Sequence, residues 1–292
     1  MVIDFHTHIF PDALAARAIG GLEQSGNVKS VLSGRREDLL ASMKRAGVDY
    51  SLNLPIASRP KQVESINSFA ISVNGRDGLF SLGGIHPLYE NYREELKRIR
   101  AAGLIGVKLH PDFQGLFIDD EPMVELMEAC RDLGLLVLVH GGMDVSFPHC
   151  HHCTPERIAR ILPRLEGLTL VLAHLGGYNY LDDVERLLVG KDLYLDTSFT
   201  LGRFGREQIL RIIRNHRPDR LLLGNILVEL PTTSSMSSFL SMRYRFTDWS
   251  RLALRNRQSR PPPNWPSAFL PVLEKRMRSS AISSSLYSPM YR

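Results

Sequence analysis

The chain has 292 residues, 43% hydrophobic and 23% charged, which is enough for one large domain with a substantial buried core. No run of 18 apolar residues predicts a membrane span, and the opening MVIDFHTHIF lacks the basic-then-apolar order of a secretory signal. The net charge of +5 comes from the end of the chain: residues 226–292 carry 10 Lys+Arg against 3 Asp+Glu, and the rest 26 against 28, so the body offers no basic stripe for nucleic acid.

Eight short apolar runs are predicted as strands, at 2–5, 48–54, 79–85, 104–109, 135–140, 168–174, 193–196 and 220–223. Several are near-continuous in Val, Ile and Leu, as in parallel strands buried on both faces. Helical periodicity separates them. The predicted helices include 36–45 with Gly47 at its C-terminal cap, 89–101 before Gly103, and 121–133 with Pro122 in its first turn and Gly134 behind it. Thr154-Pro155 reads as an N-cap followed by proline in the first turn, and 206–216 precedes Pro218. Eight strands alternating with helices predict an α/β fold of the (β/α)8 TIM-barrel type. A doubly wound open sheet is the structural alternative, weakened because no Gly-x-Gly-x-x-Gly turn follows the first strand.

The chemistry-bearing residues recur where these strands end. His6 and His8 sit two apart, so on an extended strand they share a face and can meet one ion. His140 ends strand five and His174 strand six, each followed by glycines. Active-site groups of parallel barrels come from these C-terminal strand ends. Lys108 and His110, also two apart, end strand four. An ammonium within an apolar run needs a carboxylate, a substrate anion or a metal site beside it. His86 can line the mouth or stabilise its turn, and so can His110. Gln114 and Arg203 are further candidates for the mouth. Asp196, ending strand seven, is expected to hold an imidazole from behind more than to bind metal itself. The cluster His149-Cys150-His151-His152-Cys153 is expected to be a loop over the mouth, because a zinc knuckle needs a second ligand pair and the remaining cysteine is Cys130 alone. An odd cysteine count argues against a disulfide framework and fits a reducing cytoplasm.

The composition breaks near residue 225. All 22 glycines and 10 histidines precede it, and 226–292 holds 14 serines and 7 prolines. Two regions are expected: a barrel at 1–225 with its eighth-helix region degenerate, and a Ser/Arg/Pro-rich tail at 226–292 with little regular packing.

The motifs DFHTHIFP (4–11), GVKLHP (106–111), VHGG (139–142), AHLGG (173–177) and LYLDTSF (193–199) occur in order, and with them the chain resembles the amidohydrolase-related metal-dependent enzymes, in particular the aminocarboxymuconate-semialdehyde decarboxylase-like branch. The resemblance implies a divalent metal, zinc above all, held by His6, His8 and His140, and a metal-activated water whose proton His174 accepts. It implies hydrolysis of a small molecule, or decarboxylation of one, with Lys108, His110, Arg203 and Gln114 facing a substrate that carries a carboxylate. It implies a homodimer in many members. The family's last ligand is an Asp just after strand eight. That position is Ile226 here, which motivates two further readings: a reading-frame change near codon 225, and a catalytically impaired barrel that acts as a binding protein. A binuclear site bridged by a carboxylated Lys108 is another alternative.

Overall fold

The computed structural model of the protein describes residues 2–200, 203–224 and 228–229. Ile226 and the tail from 230 onward lie outside the described residues, and with them the expectations placed on both.

Strand β1 (Ile3–Thr7) is followed by helices α1 (Asp12–Gly26) and α2 (Arg36–Ala46) and by strand β2 (Tyr50–Asn53). Helix α3 (Val63–Val73) leads to β3, which runs in two pieces, Leu79–Ser81 and Gly83–Gly84. Then come α4 (Tyr92–Ala101), β4 (Gly106–Leu109), the short α5 (Pro111–Gln114), α6 (Glu121–Asp132) and β5 (Leu136–Val139). Helix α7 (Pro155–Ile161), β6 (Leu170–Leu172), α8 (Leu181–Leu187), β7 (Tyr194–Asp196), α9 (Arg206–Asn215) and β8 (Leu221–Leu222) complete the series.

All eight strands are parallel and each pairs with its sequence neighbour. The first piece of β3 pairs with β2 and the second with β4, so β3 joins a three-stranded sheet to a six-stranded one. The Phe5 amide of β1 donates to the carbonyl of Leu223, just after β8, at 2.8 Å, bridging the seam between the two. Eight parallel strands in this order, the first seven each followed by a helix among the described residues, are the TIM-barrel arrangement. Lys29–Ser30 and Val228–Glu229 form a separate antiparallel pair.

The strands form because they can be buried on both sides. Every residue of β4 and β5 is buried. Helix α6 turns Met123, Val124, Leu126, Met127 and Cys130 onto that surface, and α4 adds Leu96 and Ile99. At roughly 1.5–3 kcal/mol for each large apolar side chain fully buried, this one core supplies the main drive for folding.

Helix ends match the sequence reading at two places and depart from it at a third. Gly47 closes α2 in the left-handed conformation at φ 68°, and Pro122 lies in the first turn of α6. Thr154 stands at the N-cap of α7, but its hydroxyl makes no cap bond. Helices α1, α3 and α8 lack the clear breaks that marked the others. The segments were legible only as gaps between strands.

Candidate active site

The C-terminal ends of the strands bring six imidazoles toward one mouth. His6 lies in β1, with His8 just beyond it; their ring centroids are 5.2 Å apart. His6 is also 5.2 Å from His174, His174 is 4.6 Å from His140, and His140 stacks on His110 at 4.1 Å. His86, the sixth, is buried and accepts the Leu88 amide at Nδ1, the turn-stabilising role.

Each histidine of the inner group has one nitrogen held from behind. His6 Nδ1 donates to Asp196 Oδ2 at 2.9 Å. His8 Nδ1 donates to the Leu54 carbonyl at 2.8 Å, and His174 Nδ1 to the Ser198 carbonyl at 3.0 Å. With Nδ1 so engaged, Nε2 is the nitrogen that His6 and His8 each have left for a ligand. Fixing a ring by its far nitrogen in this way sets the tautomer that a metal needs.

Asp196 organises this part of the site. Its Oδ1 accepts the His174 amide at 3.1 Å, the Ser198 amide at 2.9 Å and the Ser198 hydroxyl, while Oδ2 takes His6. The Ser198 Oγ also lies 3.0 Å from both His6 Nδ1 and His174 Nδ1. These bonds hold β6 in an unusual turn. His174 has φ 60° and Leu175 φ 53°, left-handed values that cost non-glycine residues about 1–3 kcal/mol each. Next to them Gly142 adopts φ 85°, and a Cβ there would sit 2.2 Å from the Tyr178 amide nitrogen.

Burial keeps these rings neutral. Desolvation, with Lys108 and neighbouring histidines adding to it, lowers His6, His8 and His140 well below the usual imidazole range. It pushes His174 down to about 3. Neutral imidazole is the form that binds a divalent cation.

Lys108 is 1% exposed and its Nζ has no hydrogen-bond partner among the described residues. Desolvation lowers its ammonium to about 8, against an opposing pull from Asp196. Arg203 packs its guanidinium 3.7 Å above the Phe199 ring, and its buried Nη1 is likewise unpartnered. Desolvation also lowers its pKa, with Tyr178 bonding to it and partly offsetting the shift. Tyr178 and Phe199 form an aromatic wall beside His174.

Other expected residues are placed differently. Gln114 spends its amide on the backbone, accepting the His110 amide and donating to the Ala57 and Ile85 carbonyls. It braces β3 against β4 rather than presenting a free group. In the His/Cys loop, Cys153 is buried, and its thiol is pushed up by desolvation. His152 donates to Asp112 at 2.7 Å, and Cys150 Sγ lies 3.6 and 3.4 Å from the two nitrogens of His152. Among the described residues no cysteine joins a group of metal-binding geometry.

The reading missed Asp144, which faces His110 Nε2 at 3.2 Å and His140 Nε2 at 3.8 Å. The one available signal was its spacing, four residues after His140 in HGGMD. Two groups place their donor atoms within 4.8 Å of one another: His6, His174 and Asp196, and His110, His140 and Asp144.

A parallel eight-strand barrel whose mouth gathers neutral, oriented imidazoles belongs to the metal-dependent TIM-barrel enzymes. The sequence model of the amidohydrolase family matches residues 3–224, and the chain belongs to that family. An uncharacterised TIM-barrel protein from Bordetella bronchiseptica superposes with a TM-score of 0.61 at 18% identity, over 87% of this chain and 96% of that one. A 5-carboxyvanillate decarboxylase from Sphingomonas paucimobilis gives 0.52 at 14%, over 85% and 94%. A dihydroxybenzoic acid decarboxylase from Polaromonas, with bound manganese and the inhibitor 2-nitroresorcinol, gives 0.52 at 13%, over 86% and 94%. No curated protein matches the chain by sequence. No helix among the described residues is long and apolar enough to cross a membrane.

Proposed function

We propose that the protein is a metal-dependent hydrolase acting on a small molecule that carries a carboxylate. The observation that supports this best is the engagement of Nδ1 on both His6 and His8, which leaves Nε2 of each as the nitrogen for a metal. His6, His8 and the Nδ1 edge of His140 would hold the ion, and their donor chemistry fits zinc. When bound, the ion supplies Lewis acidity, polarising the oxygen of a substrate or water.

The remaining work falls to the chain. His174 Nε2 lies 3.0 Å from His140 Nδ1, and burial keeps its ring neutral; once an ion took up His140 Nδ1, the Nε2 lone pair would be left to accept a proton from water. Its Nδ1 bond to the Ser198 carbonyl keeps that lone pair aimed. Lys108 is a buried cation whose Nζ lacks a partner among the described residues, and the half-buried Arg203 has an unpartnered Nη1 beside its Tyr178 bond; donors of this kind suit a substrate carboxylate. The aromatic wall of Tyr178 and Phe199 limits water at the reacting carbon.

The test is a screen of small carboxylated lactones, esters and amides, with assays for both acid release and carbon dioxide. Hydrolysis that is lost after chelation and restored by zinc supports the reading. Carbon dioxide release without hydrolysis would assign the decarboxylase alternative. Turnover indifferent to chelation would refute the metal role, and a barrel that binds zinc and substrates without turnover would be a binding protein.

A further inference from the structure

A cavity of about 430 Å³ lies beside β1, between α1 and α2. His6 and His8 form part of its lining, and Phe10, Ile19, Leu22, Leu32, Leu39 and Met43 supply an apolar wall. We propose that it is the specificity pocket of the site, and that it takes an uncharged alkyl or aryl arm of the substrate. The position of the reacting bond rests on the proposed function; the arm rests on the cavity itself.

Size and chemistry suit such a group. Small-molecule pockets commonly hold roughly 300–1,000 Å³ and are walled mainly by apolar side chains. Protein interiors leave few spaces larger than a water molecule unfilled, so an apolar space of this size is a place for an occupant. The wall is also partly open to solvent. Leu22 is 37% exposed, and Phe10, Ile19, Val28 and Leu32 are half-buried. Apolar side chains grouped at an opening mark a binding surface.

The segment from Val28 to Gly34, which contributes to the wall, is tied in place. The Ser30 amide donates to Glu23 Oε1 at 2.8 Å, and the Ser30 hydroxyl to the Leu32 carbonyl at 2.6 Å. The Phe10 amide donates to the Gly34 carbonyl at 2.9 Å. Gly34, at φ 77°, permits this close approach: a Cβ there would sit 2.8 Å from the Ile19 side chain and 3.1 Å from that of Phe10. The wall is therefore formed before any ligand arrives.

Charge decides which end of a substrate enters. Besides the two histidines, the ionisable groups of the described lining are Asp4, Glu23 and Arg45. Two carboxylates against one guanidinium do not attract an anion. Lys108 and Arg203, the cations assigned to the substrate carboxylate, are not among the described residues that line the cavity. The substrate is thus amphipathic. Its carboxylate lies toward Lys108 and Arg203, its reacting bond at His6 and His8, and its apolar arm between α1 and α2.

The experiment is a calorimetric titration of the full chain, with and without zinc, against two homologous series: straight-chain alkanoates and straight-chain primary alcohols, from butyl to decyl. The proposal expects both series to gain about fourfold in affinity per added methylene until the cavity is full, then to level off. Leu22→Asp, at an exposed position, sets a carboxylate in the wall and is expected to reduce that gain in both series. Ser42→Phe fills part of the cavity from α2 and is expected to level both series at a shorter chain. Circular dichroism checks folding, and Leu22→Asp carries the test if Ser42→Phe does not fold. A flat series in the wild type overturns the proposal, whether the cavity stays empty or another part of the chain fills it. A gain per methylene that both variants leave intact overturns it too, because the arm then binds elsewhere. The proposed function fails separately. Alkanoates that bind no better than alcohols, over the same rising series, would remove the carboxylate from the substrate and leave the pocket standing.

Discussion

Asp196 carries more of the site than its position suggested. Its two oxygens orient His6, fix the His174 amide and hold Ser198. Asp196→Asn keeps the shape but loses the acceptor for His6 Nδ1–H. It is expected to weaken zinc binding 10- to 100-fold, as measured by competition with a chelator, and to cost about 1–3 kcal/mol of stability, because one buried donor loses its acceptor. Lys108 works in the opposite sense. Its ammonium is held down to about 8 from an ordinary value of 10.5 by desolvation, so the fold disfavours its charged form by about 3 kcal/mol. Below pH 8 the full penalty applies. Between 8 and 10.5 the unfolded chain binds more protons than the folded one, so stability rises with pH across that window. Lys108→Met is therefore expected to stabilise the metal-free protein at pH 7 and to flatten its stability between pH 8 and 10, read by urea unfolding. An unchanged pH profile would show that Lys108 has a charge partner in solution. The strand-end histidines were legible because each closes an apolar run. Asp144, Ser198 and Tyr178 were not, because they sit on loops whose path no periodicity predicts.

At the scale of elements, the parallel strands were readable as eight apolar runs, and the structure pairs all eight in sequence order. Strand β3 was read as one run at 79–85 but is split at Leu82, because it must serve neighbours in two sheets. That division follows from tertiary pairing and leaves no local mark. The cap at Thr154 shows the converse: a favourable sequence signal with no bond behind it. A working N-cap contributes about 1 kcal/mol, so Thr154→Ala is expected to cost under ~0.5 kcal/mol, measured by denaturant unfolding. The turn after β5 is a stricter case. Gly142→Ala brings a Cβ within 2.2 Å of the Tyr178 backbone at φ 85°, whereas Gly115→Ala, at φ 68°, meets open space. The Gly115 change is expected to cost about 1 kcal/mol from backbone conformation alone. The Gly142 change should cost well over 2 kcal/mol and disturb metal binding as well. Equal costs would mean that the turn moves freely.

For the whole molecule, the burial that orients four neutral imidazoles makes the fold sensitive to acid. His6, His8, His140 and His174 titrate near 6.5 when unfolded and lower when folded. As pH falls below 6.5 the unfolded chain takes up protons that the folded one does not, so stability is lost at up to about 1.4 kcal/mol per pH unit for each histidine. Zinc, binding only the neutral rings, is expected to raise the melting temperature most near pH 7 and progressively less toward pH 5. The break near residue 225 belongs to this scale too. If a frame change causes it, an alternative frame across that codon should encode an Asp soon after RLLLG; a clean frame with no such alternative would set the idea aside.

The most direct test of the metal centre is an anomalous-scattering map of crystals grown with zinc. The account expects a peak at roughly 2.0–2.1 Å from both His6 Nε2 and His8 Nε2, lost in His6→Ala. A zinc-soaked crystal with no peak between those two nitrogens would contradict it.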